Sequence, residues 1–435
     1  MTQQKTAGLR ALVAGIGVAA AACSALSGCS APASPSSSDP NAPVTLTAAI
    51  QSQDSGKKYY SELFDQIHQM HPNITIQIVE YPSDQLGTVT TTQLAAGNGP
   101  DIIYGSPGTG NTNALGLYAK KGYLLDLASQ PWATASIPES SKPLFYSGDA
   151  LFGLPVDTVA VPLTVNKTAY DKLGLTIPKT YSDLLANCTK ARDAGTALIN
   201  IPGAFPANAA FSALEIAASR VYSENPNWDQ DRASGKTTFE GTKGWIDTFR
   251  VIQEMYKKGC MQDGAEGAGG PQIFQSVASG QTLGMFGPSA VSSGLMAADA
   301  KNSYTFTAFP GDSESQTYVF ASPSDAFAIN AKTKHKDAAL QVLEAMTTKE
   351  VRDSFAQNAG NVSLESTLNG AATTDTFKEI SSLITDPKKS GPLPSFSWPN
   401  GNVYSKLGSG VQGLLTGQVT PEDLAKQLDA AWAGK

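Results

Sequence analysis

Short apolar strands alternating with helices open the folded part of this chain, and that alternation leaves few folds available. Val44-Thr-Leu-Thr-Ala-Ala-Ile50 reads as a strand, rich in β-branched residues and free of breakers. Leu63, Phe64, Ile67 and Met70 then recur at helical spacing, and Pro72 ends that helix. Ile74–Val79 alternates as a second strand, a Thr-rich helix leads to Leu94-Ala-Ala-Gly97, and Asp101–Tyr104 makes a third short strand. Strands separated by helices imply parallel βαβ units and an α/β sheet. Ligands of such sheets lie beyond the carboxyl ends of the strands. Here those loops are Gln51–Gly56, Tyr81–Gln85 and Gly105–Asn111, all polar and rich in Gly and Ser.

Downstream, the pattern predicts strands at Val159–Val165, Thr282–Phe286 and Ala326–Ile329. Helices are expected at Ser182–Arg192, Ala210–Ser219, Trp245–Lys257 and Asp337–Met346, with a Gly-rich surface loop at Asp263–Gly270. A last helix begins at Thr420-Pro421-Glu422-Asp423, with a Thr N-cap, Pro at its first position and acids in its first turn.

The N-terminus has the anatomy of a secretory signal peptide. Lys5 and Arg10 precede an uncharged apolar stretch, Ala11–Ala22, and Leu26-Ser27-Gly28-Cys29 follows. A cleavage site ending in Cys resembles a bacterial lipobox, which makes Cys29 the expected lipidation site, residues 1–28 the signal and 29–43 a flexible Ser/Pro/Ala tether. Cys23 is an alternative that lacks the preceding Leu. The apolar run is shorter than the ~20 residues that span a bilayer. Removing Lys5 and Arg10 with the signal takes the net charge from -7 to -9. So acidic a surface argues against nucleic acid, whose phosphates demand clustered cations. It also leaves membrane attachment to a lipid rather than to basic patches. Roughly 400 mature residues exceed what one core supports, so two domains are expected. Cys188 and Cys260 remain, and an oxidising compartment allows them to bridge; two separately buried free thiols are the alternative.

No catalytic or metal motif stands out. His68 and His71 have a helical spacing that could share a metal, but no carboxylate or Cys completes the set. Gly-x-Ser-x-Gly is absent. Ser55-Gly-Lys-Lys58 matches Ser-x-x-Lys without its companion motifs, and Gly235-Lys-Thr237 lacks the first Gly of a phosphate loop. No cofactor is called for.

Several segments, in order, resemble the family 1 extracellular solute-binding proteins, the sugar-capturing, maltose-binding-protein-like components of ABC importers. Leu94-Ala-Ala-Gly-Asn-Gly-Pro-Asp-Ile-Ile103 is similar to that family's A-x-G-x-x-P-D-[VI] stretch, and Gly122–Leu127 to its G-x-L-x-D-L. Leu151–Pro155, Leu163–Lys167, Leu173–Leu175 and Pro178–Tyr181 follow its central block, and Phe274–Gly287 its F-x-x-G-x-x-A-M segment. The resemblance implies two α/β lobes, each a mainly parallel sheet flanked by helices, with the ligand cleft between them. The first lobe would hold 42–156 and 305–330, and the second 160–300 and 334–435, with hinges near Asp157–Ala160, Tyr304 and Ala331.

Matched to the family, Ser52 and Asp54 fall in the first binding loop, Asp84 in the second and Ser106 in the third. Asp157 falls at the hinge and Asp325 beside a strand end. Phe205, Phe286, Trp398 and Tyr404 fall where stacking aromatics are found. Such a set suits a sugar, whose hydroxyls take polar partners and whose apolar face takes an aromatic platform. For Phe205 and Phe286 a place in the core is the alternative. Many relatives carry Trp after the Gly-Pro pair, where this chain has Ser289. The implied protein is a monomeric, lipid-anchored carbohydrate receptor on the outer face of the cell membrane, delivering to permease subunits. An exported glycosidase with an Asp/Glu pair, or a receptor for a non-sugar ligand such as a polyamine, are the alternatives.

Overall fold

The computed structural model describes residues 42–53, 58–369 and 374–434. Cys23, Cys29, the signal and most of the tether lie outside these, as does Asp54. The described body is the two-lobed α/β architecture expected.

The first sheet has the order Ile74–Tyr81, Val44–Gln51, Ile102–Gly105, Ala326–Ile329, Leu154–Pro155. Val44–Gln51 runs parallel to both of its neighbours, with Val44 opposite Ile74 and Ala48 opposite Ile102. Ala326–Ile329 and Leu154–Pro155 are antiparallel, so the sheet is mixed where a mainly parallel one was expected. Ile102 and Ile103 are both fully buried, as helices cover both faces. Helix Tyr59–Met70 buries Tyr60, Leu63, Phe64 and Ile67, one stripe of the 3.6-residue period.

In the second sheet Leu163–Asn166 lies between Tyr304–Thr307 and Gly284–Met285, both antiparallel to it. Parallel bridges add Asn200 beside Met285 and Ile199 beside Met261. The expected strand Val159–Val165 is therefore two strands broken at Pro162, which has no N–H for a ladder. The first piece, Asp157–Val161, joins a small third sheet between Val362–Ser363 and the antiparallel Val319–Pro323. Asp157–Val161 and Val319–Pro323 carry the chain between the two larger sheets.

Two boundaries differ from the expectation. Tyr304–Thr307 pairs with Leu163–Asn166, which places it with the second sheet rather than at a hinge. Helix Lys336–Ala345 packs on the first sheet and on helix Tyr59–Met70, and helix Lys349–Ala359 packs on that same helix and on strands Asp157–Val161 and Val362–Ser363. Their apolar faces find the surface nearest to strand Ala326–Ile329, which they follow in the chain.

Helices Pro206–Ala217, Lys243–Lys257, Gly401–Thr416 and Pro421–Trp432 form the largest helical layer. A Cβ at Gly408 would stand 2.0 Å from the Pro206 carbonyl oxygen, so the close crossing of two of these helices requires glycine there. Thr420 caps the last helix by accepting the Asp423 N–H at 3.0 Å. Cys188, on helix Tyr181–Asp193, and Cys260 form a disulfide with a Cα–Cα distance of 5.0 Å. Among the described residues no helix is long and apolar enough to cross a membrane.

Candidate functional site

Where the crossing strands meet the first sheet, a buried polar chain ties together five distant segments. Asp157 is 0% exposed. Its Oδ1 accepts hydrogen bonds from Ser324 Oγ at 2.8 Å and from the Asp325 N–H at 3.0 Å, and its Oδ2 accepts from Asn361 Nδ2 at 2.5 Å. Tyr60 Oη donates to Asp325 Oδ1 at 2.5 Å. On the other side, Ser289 Oγ donates to Asn361 Oδ1 at 2.8 Å and accepts the Ala160 N–H at 3.2 Å. The run Tyr60, Asp325, Asp157, Asn361, Ser289 thus links a helix of the first lobe to helix Ser289–Ala298. The position where relatives carry Trp holds a small hydroxyl that stitches this network.

Both carboxyls are driven toward the neutral form. Burial is the larger cause for Asp157, followed by the charge of Asp325 beside it; burial also raises Asp325. Tyr60 and Tyr104 are likewise pushed up by burial and then by Asp325. A carboxyl whose folded pKa is raised binds a proton more tightly when folded. Its stabilising contribution is complete below the unfolded value and is lost as pH rises through the folded one. Asp157→Asn, which keeps the shape and removes the titration, should flatten the fall in unfolding free energy above about pH 4 by up to ~1.4 kcal/mol per pH unit. Urea unfolding at several pH values checks this, and parallel profiles for variant and wild type would refute it.

Of the predicted loop residues, Ser52 and Ser106 follow directly on strands Val44–Gln51 and Ile102–Gly105. The Ser52 N–H donates to Tyr81 O at 2.8 Å, and the hydroxyl's residue is half-buried. Ser106 is buried, accepts from Asn111 Nδ2 at 3.1 Å and donates to Asn113 Oδ1 at 3.2 Å. Asp84 lies in helix Ser83–Ala96. The Gly105–Asn111 loop is pinned: the N–H groups of Thr109 and Gly110 both donate to Phe396 O, at 2.9 and 3.1 Å. A Cβ at Gly110 would fall 1.8 Å from Ser395 O, so glycine is needed for contact with the Pro394–Phe396 turn.

The four aromatic candidates separate. Phe205 is 45% exposed, the open platform of the group. Tyr404 is half-buried beside it in the fold, its Oη donating to Ala207 O at 2.6 Å. Phe286 belongs to the core, with its ring 6.0 Å from Phe309. Trp398 is also core: it is 0% exposed, its ring packs on Phe239 and Trp432, and its Nε1 donates to Asp229 Oδ1 at 3.1 Å. The loop-like composition Pro394–Pro399 hid this, because a short 3-10 turn carries the indole inward. Tyr60 and Asn361 escaped sequence reasoning altogether, and Ser289 was noted only as a departure from the family pattern; no motif marks a residue whose partner is 72 or more positions away. Glu215, also missed, is buried on helix Pro206–Ala217, accepts the Gly287 N–H at 2.7 Å and has its carboxyl pushed up by burial. No group of three metal-ligating side chains occurs among the described residues, and His68 Nδ1 pairs instead with Ile74 O at 2.7 Å.

Residues 51–353 match the family described as bacterial extracellular solute-binding protein. The chain belongs to that family. Solved structures share the fold of this solute-binding protein at low identity. RafE in complex with raffinose is 19% identical with a TM-score of 0.75, covering 90% of this chain and 99% of its own. A family 1 extracellular solute-binding protein from Bifidobacterium longum subsp. infantis is 23% identical with a TM-score of 0.71, covering 91% and 100%. A sugar transporter from Bacillus licheniformis in complex with stachyose is 16% identical with a TM-score of 0.70, covering 90% and 100%. No curated protein matches the sequence. The family is one of binding proteins that work outside the cytoplasm.

Proposed function

We propose that this solute-binding protein captures a carbohydrate between its two lobes and delivers it to the permease of an ABC importer. The reading rests on the family fold being shared with proteins solved with raffinose and stachyose. In this chain it is supported by an exposed aromatic, Phe205, at the head of helix Pro206–Ala217. The first lobe holds residues up to Val156, then Ser324–Ala359; the second holds the rest, with Asp157–Val161 and Val319–Pro323 as hinge strands. The buried Asp157 network is the pivot. Closure about it brings Phe205 and Tyr404 toward the segments carrying Ser52, Asp84 and Ser106, and the closed population grows with ligand. A lipid on Cys29 and the tether keep the monomer near its permease and raise its effective concentration there.

A thermal-shift panel of raffinose, stachyose and xylan- and chitin-derived oligosaccharides tests the reading. Ligand at 100 times its dissociation constant adds ~2.7 kcal/mol of stability, a readily visible shift. Silence across the panel, with a shift for polyamines, would replace it. Phe205→Ala should cost about 1–2 kcal/mol of sugar affinity, the worth of an aromatic face, with no change in unlocked stability beyond a few tenths. Calorimetric titration measures it, and an unchanged affinity removes Phe205 from the site. Metabolic labelling with a fatty-acid analogue, lost in Cys29→Ala, tests the anchor.

A further inference from the structure

A cavity of about 420 Å³ lies between the segment Glu139–Leu144, the region Tyr222–Ala233 and the segment Pro387–Ser397, and Ser52, Ser106, Phe205 and Tyr404 are not among its lining residues. Its size falls in the range of small-molecule sites. Asp229 stands in its wall. One carboxylate oxygen of Asp229, Oδ1, accepts from both Tyr222 Oη at 3.0 Å and Trp398 Nε1 at 3.1 Å. Two donors on one oxygen hold the carboxylate in a single orientation, and among the described residues no donor reaches Oδ2. Among the described residues no Lys, Arg or His lines the cavity. The other acid in its wall, Glu139, is already held by Lys142 at 2.6 Å. The other walls mix apolar residues, Leu144, Pro392 and Leu393 among them, with the polar Asn227, Gln230 and Ser397.

We propose that this cavity is a second binding site, for a small organic amine with an apolar body, whose ammonium group is received by Asp229 Oδ2. An anion finds no counter-charge there. A neutral polyol finds partners at Ser140, Asn227 and Gln230 but brings no charge to Asp229 Oδ2, which an ammonium does. A protonated amine instead meets one fixed acceptor of opposite charge, while its hydrocarbon part covers the apolar stretch of wall. Burial has pushed the Asp229 carboxyl up to about 7. The groups facing it, Tyr222 and Tyr318, stay neutral in that range because burial pushes both phenols up, and Glu139 stays paired with Lys142. Amine affinity therefore rises between about pH 6 and 8 as the carboxylate forms.

Calorimetric titration of the full chain with benzylamine, and with benzyl alcohol as its uncharged counterpart, tests the site. Benzylamine is expected to bind, and benzyl alcohol to bind at least ~10-fold more weakly, as loss of a charge-assisted hydrogen bond predicts. Asp229→Asn keeps the acceptor for Tyr222 and Trp398 and should weaken benzylamine by a similar factor. Gln230→Trp, a substitution at an exposed wall position, should block the cavity and abolish binding even if the Asn variant folds poorly. Equal affinity for amine and alcohol, benzylamine binding unaffected by Gln230→Trp, or no binding to the wild type at millimolar concentration would each overturn the proposal.

Discussion

Trp398→Ala lowers the unfolding free energy by about 4 kcal/mol, the cost of emptying a fully enclosed indole site. The ring is 0% exposed and packs edge-on to Phe239, with centroids 6.0 Å apart, and to Trp432 at 6.5 Å. Those two rings join Trp228 and Trp245 in one aromatic cluster under helix Pro421–Trp432. The backbone around the substitution is braced by the Gly105–Asn111 loop, so the site collapses little and the cavity term stays large. Trp398→Phe restores most of the packing and loses only the N–H to Asp229, at about 1 kcal/mol. Denaturant unfolding of both variants gives the two values. Sugar affinity of the folded Ala variant should be close to wild type, since the ring faces the core. A large loss of affinity with little loss of stability would reverse this assignment and return Trp398 to the ligand.

Replacing both Cys188 and Cys260 by Ala should cost about 4 kcal/mol, because the bridge closes a loop of 72 residues whose freedom it removes from the unfolded chain. Both side chains are buried, and Cys260 lies where its carbonyl receives the N–H groups of Leu198 and Ile199. The bridge therefore staples helix Tyr181–Asp193 to the edge of the second sheet. Guanidinium unfolding of the double variant, compared with wild type before and after reduction, measures the term. A difference under ~1 kcal/mol would mean that the unfolded chain is already constrained in this region.

Local rules carried the fold a long way. Leu63, Phe64 and Ile67 announce the buried stripe of their helix, and Thr420 with Pro421 announces the start of the last one; both depend on neighbours within a few residues. Pro162 was visible too, but its consequence was not. A missing N–H says that a ladder must break, and only the tertiary structure says that the two halves then join different sheets. Lobe boundaries near Tyr304 and Lys336–Ala359 were misplaced for a similar reason, since which sheet an apolar face covers depends on distance in space.

The candidate site divides along the same line. The sequence by itself determined the βα alternation, the polar strand-end loops, the acidic balance and the ordered segments that mark the family, because each is a property of residue type and spacing. Only the tertiary structure decided that Trp398 is core while Phe205 is open, and that Asp157 and Asp325 share one buried network with Tyr60, Asn361 and Ser289. Burial and hydrogen-bond partnership are relations between segments up to 265 positions apart. No local pattern encodes them, because the free energy of a buried carboxyl is set by what the fold places around it.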